Sequence, residues 1–359
     1  MYHKPPSVAF ASFDNIDTPK MRYFLLSSLC YTCTVSKNYT ITNTSSKNSI
    51  SFSAVGDWGG IPIRPYQVSW GQGVANSMNR LALSHNDDFI LLIGDNFYGD
   101  GVKDVNDKRF EQTFENTFSP DLENLKNMSF YVQSGNHDYR GNMTAQIEYS
   151  KKSERWVFPG LWYNIVQETS DFKLEIVYID TNALGGVGTM AEADGYPINQ
   201  NERKTLQMDW FETTMKTSNA DYLIVSGHHP IYSIGEKGSE NFMIEQILPI
   251  MKKYGSQVYI GAHDHNLQYL QDIEETTGFI VTGCANLPTP SRVHRKDIKE
   301  KGGKSRFFWA DSYVEGSGGY THYVADKWGL NVDFIDAGED KVLYQVSYPK
   351  RSLNKQTDP

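Results

Sequence analysis

Cysteine is scarce. Among 359 residues only Cys30, Cys33 and Cys284 occur, too few for a disulfide-built scaffold and spaced wrongly for a zinc ribbon. Positive charge is also in deficit, with 34 Lys and Arg against 43 Asp and Glu, a formal −9. No basic run is long enough to track a phosphate backbone, so neither nucleic-acid binding by charge nor a broad membrane-surface role is supported. Past residue 36 no apolar run reaches the length of a membrane span, and no repeat of solenoid period is evident. Two catalytic signatures are missing as well. GGKS at Gly302–Ser305 has Ile298 where a P-loop needs its earlier glycine, and the lack of any Arg-His-Gly argues against a covalent phosphohistidine mechanism.

What is present begins with a 39% hydrophobic content, which rules out disorder throughout and is ample for a large core. Residues 21–36, MRYFLLSSLCYTCTVS, have a basic start, an apolar stretch and then small polar residues, the layout of a secretory signal peptide. The hydrophilic residues 1–20 ahead of it point to a start at Met21. Asn-x-Ser/Thr sequons at Asn38, Asn43, Asn127 and Asn142 agree with a secreted, lysosomal or other endomembrane-lumen glycoprotein. Removing the signal takes Cys30 and Cys33 with it and leaves no membrane span. Residues 37–49 read as a flexible leader, 50–349 as one domain and 350–359 as a polar tail.

Within 50–349, apolar runs at 50–55, 89–93, 130–132, 174–179, 222–225, 258–260 and 279–281 predict strands. They alternate with helix-like stretches at 74–85, 108–118, 203–215 and 242–253, so the fold class is α/β. After Thr321 the pattern becomes strands separated by turns at Trp328-Gly329 and Ala337-Gly338, an antiparallel edge. Five predicted strands end in polar blocks: GDWGG, GDNFY, SGNHD, SGHH and GAHDH. In open α/β sheets the carboxyl ends of strands are where ligands bind. Of nine histidines, five sit in three of these blocks.

Collected, the polar groups are Asp57, Asp95, Tyr98, Asn136, His137, His228, His229, His263 and His265. Hard oxygen and borderline nitrogen donors without a thiolate suit iron, manganese or zinc. Setting His137 and His229 aside, seven ligands fill about three positions on each of two ions with one carboxylate shared, the usual clamp for displacement at phosphorus.

The five blocks resemble the metallophosphoesterase signature and, within it, that of the purple acid phosphatases. Most metallophosphoesterases read Asp-x-His in the first block; here Gly59 stands at the histidine position, and Tyr98 falls where purple acid phosphatases supply a tyrosinate. The likeness runs from about Ile50 to Pro349, and in GDNFYGDGVKDVNDKRFEQTFENTF, GNHDYRGNMTAQIEYSKKSERWVFP and HDHNLQYLQD the chain resembles the low-molecular-weight, mammalian-type branch almost continuously. It implies two mixed β-sheets flanked by helices, with the active site at strand carboxyl ends. It also implies two metals per chain: Fe(III) on Asp57, Tyr98 and His265, and Fe(II), Zn(II) or Mn(II) on Asn136, His228 and His263, with Asp95 bridging. A phenolate on a trivalent ion gives a visible charge-transfer colour. The two ions outweigh two carboxylates, a phenolate and a hydroxide by about +1, enough to hold an anion in an acidic protein.

The implied reaction is hydrolysis of phosphate monoesters, small molecules or phosphoproteins, at acid pH, with a metal-bound hydroxide attacking phosphorus in line and His137 protonating the leaving oxygen. The chain departs from the family in three places. Ala262 replaces a glycine before His263, and two family cysteines are absent. At the rim Lys237 stands for an active-site histidine, with Glu236 retained and His229 in place of a more usual tyrosine, so Glu236, Lys237 and His229 join His137 as candidate catalytic residues. Residues 183–200 match a loop that overhangs the active site and restrains activity until cleaved. A monomer is expected. The alternatives are a phosphodiesterase or phosphoprotein phosphatase on the same core, or a non-catalytic anchoring scaffold.

Overall fold

The computed structural model describes residues 38–185, 199–314 and 316–352. The signal segment at 21–36 and most of the loop at 183–200 lie outside the described residues.

The chain runs through β1 (Tyr39–Thr44), β2 (Ser49–Val55), α1 (Ser69–His85), β3 (Phe89–Ile93), β4 (Ser129–Gln133), α2 (Met143–Tyr149) and β5 (Trp156–Val157). Next come β6 (Tyr163–Glu168), β7 (Lys173–Tyr178), α3 (Thr181–Leu184), α4 (Gln200–Thr217), β8 (Tyr222–Ser226), α5 (Leu248–Tyr254), β9 (Val258–Gly261) and β10 (Leu267–Asp272). β11 (Gly278–Thr282), β12 (Gly303–Trp309), β13 (Gly319–Asp326), β14 (Leu330–Asp336) and β15 (Lys341–Tyr348) complete it. They form two mixed sheets, ordered β1-β6-β7-β8-β9-β11-β10-β12 and β15-β14-β13-β2-β3-β4-β5.

Strands β2, β3, β4, β8 and β9 are parallel to neighbours in their own sheet and buried on both faces. That is why they read as unbroken apolar runs rather than alternating ones. The sheets are bonded to each other beneath the candidate site: Ser226 Oγ donates to Gln133 Oε1 at 2.9 Å, and Thr282 Oγ1 to the Ala54 carbonyl at 3.0 Å. The antiparallel edge after Thr321 is β13-β14-β15, with Tyr323 stacked on Phe52 at 4.6 Å. Two predicted helices contain π turns, Phe110–Glu115 and Met243–Ile247; in the second, Pro249 has no amide to close an α-helical bond backward. GGKS runs into β12 and forms no phosphate loop.

The described part of the expected leader, residues 38–49, is not a flexible leader. Tyr39–Thr44 is an edge strand paired in parallel with β6 from Tyr39–Tyr163 to Thr44–Glu168. Tyr39 and Ile41 turn inward while the threonines, β-branched and suited to a strand, face out. The start of the polar tail is also fixed, because the Arg351 guanidinium donates to the carbonyls of Ala220, Tyr254 and Ser218 at 2.9–3.0 Å.

Candidate metal centre and active site

All five polar blocks follow the carboxyl ends of parallel strands, and the two sheets bring those ends together. Asp57 follows β2, Asp95 and Tyr98 follow β3, Asn136 and His137 follow β4, His228 and His229 follow β8, and His263 and His265 follow β9. Asp57, Asp95 and His263 hold left-handed backbone angles (φ 56, 53 and 70°), costly for residues with a β-carbon and kept where the surroundings demand them. The chain must also pass very close to itself. A β-carbon on Gly135 would lie 2.2 Å from both the amide nitrogen and Oδ1 of Asp95, and one on Gly283 would lie 2.4 Å from Asp57 Oδ2.

Tyr98 Oη sits 2.9 Å from Asp57 Oδ1 and 3.0 Å from His265 Nε2. His228 Nε2 sits 3.2 Å from Asn136 Oδ1 and 3.5 Å from Asp95 Oδ1, and donor atoms of Asp95, His228 and His263 all lie within 4.8 Å of one another. Thus the seven predicted ligands gather as two adjoining groups, Asp57–Tyr98–His265 and Asn136–His228–His263, with Asp95 beside the second. Gly59 explains the missing histidine in steric terms. A β-carbon there would meet the Asn96 carbonyl carbon at 2.4 Å, so no side chain can project there, and it is the phenol of Tyr98 that lies beside Asp57 and His265.

The donor set fits cations. Asp57 is fully buried, and burial pushes its carboxyl up to about 8; its partners are the Tyr98 hydroxyl, the His263 amide and the His265 imidazole, none a fixed positive charge. Burial, helped by the neighbouring His229 and His228, holds His263 well below the usual imidazole range, in the neutral form a metal requires. Orientation is set from behind: His228 Nδ1 faces the Ile93 carbonyl at 2.9 Å and His265 Nδ1 the Leu287 carbonyl at 3.3 Å.

A cavity of about 590 Å³ opens onto this cluster, with Asp95, Tyr98, Asn136, His263 and His265 on its floor and His137, Arg140, Glu236, Lys237, Leu287 and Tyr313 around it. His137 Nδ1 is 2.7 Å from the Gly99 carbonyl, so as a donor there it presents Nε2 outward. Glu236 and Lys237 are exposed at the rim. His229, expected beside substrate, is instead fully buried and off the cavity: its Nδ1 lies 2.7 Å from Thr181 Oγ1 and its ring 4.5 Å from that of His263.

Residues 51–267 match the family model described as calcineurin-like phosphoesterase. The chain belongs to the calcineurin-like phosphoesterase family. This phosphoesterase is 36% identical over 313 residues to tartrate-resistant acid phosphatase type 5 of Homo sapiens, covering 85% of this chain and 92% of that protein. It is 32% identical over 263 residues to purple acid phosphatase 17 of Arabidopsis thaliana, covering 70% and 72%. Among solved structures it resembles purple acid phosphatase PPD1 from yellow lupin, with TM-score 0.55 and 16% identity over 86% of this chain and 54% of that one. It also resembles GAP50, the anchor in the inner membrane complex of Plasmodium, with TM-score 0.67 and 21% identity over 85% and 90%. At those identities the two structures speak for the fold alone. The relatives make this chain a purple acid phosphatase-like enzyme.

Sequence reasoning passed over four residues that position the site of this phosphoesterase. Asp138 is buried beneath it and accepts from the amides of Gly135 (2.8 Å) and Asn96 (3.1 Å) and from Gln146 Nε2 (3.0 Å), locking the loops after β3 and β4. Asp264 accepts from the amides of Lys237 and Gly238 at 2.8 and 3.2 Å and fixes the rim. Both stand inside quoted blocks, where the adjacent histidines drew attention away. Arg109 clamps the carbonyls of Tyr98 and Gly59 at 2.6 and 3.0 Å, and Arg140 lines the cavity; nothing in their local sequence marks either.

Proposed function

We propose that this phosphoesterase is an acid phosphatase of phosphate monoesters that works with Fe(III) and a divalent ion, Fe(II), Zn(II) or Mn(II). The observation that carries this reading is the Tyr98 hydroxyl lying between Asp57 Oδ1 and His265 Nε2, a hard anionic donor in a site that otherwise offers carboxylate, amide and imidazole. Asp57, Tyr98 and His265 would hold the trivalent ion, Asn136, His228 and His263 the divalent one, and Asp95 would serve both. When bound, such a pair supplies Lewis acidity to phosphoryl oxygens and lowers the pKa of an attacking water.

The chain's own groups do the rest. His137, oriented by the Gly99 carbonyl, directs Nε2 at the ester and carries the proton that the leaving oxygen takes. Lys237 and Arg140 put two positive charges on the cavity wall, where they draw in and orient the anionic substrate, while Glu236 beside them disfavours a second anion at that rim. His229 acts on substrate only through His263, whose ring it supports. The signal segment and sequons favour a secreted or lysosomal glycoprotein, for which a monomer is the expectation.

The test is spectroscopic and kinetic. Purified protein should be violet to pink, contain two ions per chain and turn over p-nitrophenyl phosphate faster than its bis-ester. Tyr98→Phe should lose the colour and, like Asp95→Ala, most of the activity, by about 10²-fold or more. Wild-type-like turnover by both variants would sink the assignment; preference for the bis-ester would move it to a phosphodiesterase.

A further inference from the structure

We propose that His85, Asp87 and His322 form a separate site for one divalent transition ion of the Zn(II) type, at the end of β2 opposite the catalytic cavity. His85 is the last residue of α1, Asp87 lies in the turn into β3, and His322 is on β13, facing β2 across the His322–Ser53 pair. One donor atom from each lies within 4.8 Å of the other two. Two imidazoles and a carboxylate are a common zinc set, and nitrogen donors of this kind select against magnesium and calcium.

Three features mark this cluster as more than an incidental contact. His322 and the Asp87 carboxylate are withdrawn from water, at 2% and 1% exposure, with Nε2 and Oδ1 2.9 Å apart; two ligands of one small cation stand about 3 Å apart. Nδ1 of His85 is buried without a hydrogen-bond partner, which is costly for a polar atom and is relieved if that nitrogen ligates an ion. The carboxylate is aimed from behind by Ser51 Oγ at 2.7 Å and Ser53 Oγ at 3.2 Å, the arrangement that fixes metal ligands elsewhere.

Nearby cations are already committed. Lys47 pairs with Asp88 and Arg80 with Asp340, so Asp87 has only the imidazoles and an ion to answer its charge. The two rings now lie face to face, 3.9 Å apart and 26° from parallel. To ligate, His85, the half-buried member, turns about its Cβ–Cγ bond toward Asp87, while His322 stays where Asp87 and Ser51 hold it. Ser51 lies six residues before Asp57, about 20 Å along an extended strand, so this site and the catalytic one can be separated by experiment and neither depends on the other.

Zinc chloride is the probe. Chelator-treated, gel-filtered full chain is dialysed against Zn(II), and bound metal per chain is counted for wild type, His85→Ala and His85→Gln. His85 is only partly buried, at the end of α1, so both variants should keep the fold; circular dichroism and phosphatase turnover on restoring catalytic metal serve as controls and should match wild type. The expected result is one fewer zinc per chain in both variants, with a smaller rise in melting temperature on adding zinc. Equal zinc counts in wild type and both variants would overturn the proposal, whatever the state of the catalytic site.

Discussion

Ala262 is the one departure inside a ligand block whose consequence can be read atom by atom. Its methyl is fully buried, and a β-carbon built on Gly56 would lie 2.3 Å from it. The extra methyl before His263 is therefore accommodated by a glycine before Asp57: one methyl fits between the two ligand loops, not two. Gly56→Ala should lower stability by about 1–3 kcal/mol through overpacking. Ala262→Gly should cost about 1 kcal/mol in lost burial and chain entropy. If the two β-carbons are the cause, the double variant should recover part of the first loss, and urea unfolding of all four proteins gives the coupling. Additive losses would mean that Gly56 is required for contact with Ile93 instead, whose carbonyl oxygen its β-carbon would meet at 3.1 Å.

Asp272 shows how elements away from the cavity bear on a protein expected to work in acid. Its carboxylate, 1% exposed, ties α5 to the turn after β10 through Lys252 Nζ at 2.8 Å and the amides of Thr276 and Thr277 at 2.8 and 3.0 Å. Burial alone would raise its pKa, but Lys252, the Thr277 amide and the Thr276 hydroxyl together outweigh burial and hold it below the ordinary carboxylate value of 3.8. A depressed carboxylate contributes stability above its unfolded pKa, near 4, and loses it as pH falls through the lower folded value. Asp272→Asn should thus cost about 1–3 kcal/mol at pH 6 and clearly less at pH 3, read from urea midpoints at both. An equal loss at both would assign the effect to packing. The strands that carry the candidate ligands were legible because parallel strands buried on both faces must be apolar throughout and the polar residue that ends each is conspicuous. β1 was not, because an edge strand needs only Tyr39 and Ile41 inward and is otherwise the Thr and Asn of a loop. Of the site, the candidate ligands stood out as residue types at strand ends. The side chains that hold them did not: Asp138, Asp264 and Arg109 act through backbone groups, which no sequence pattern displays, and His229 had the right residue type but faces Thr181 from inside.

At the scale of the whole molecule, the candidate centre is where the two sheets are joined. Asp57, Asp95, Tyr98 and Asn136 come from the loops of one sheet, and His228, His263 and His265 from the loops of the other. Ions held by both sets would cross-link the sheets at their carboxyl ends, and binding to the folded state alone adds stability by mass action, about 4 kcal/mol at a free metal concentration a thousand times Kd. For a chain of this size that is about 6 °C in melting temperature. The measurement belongs in the His85→Ala background, so that an ion at the other end of β2 does not contribute. There, chelation should lower the melting temperature by about that amount, and His263→Ala, which removes a ligand of one sheet only, should abolish most of the chelator effect. A chelator effect that survives His263→Ala would mean that the ions sit on one sheet's loops alone, leaving protein bonds such as Gln133–Ser226 and Ala54–Thr282 to join the sheets beneath them.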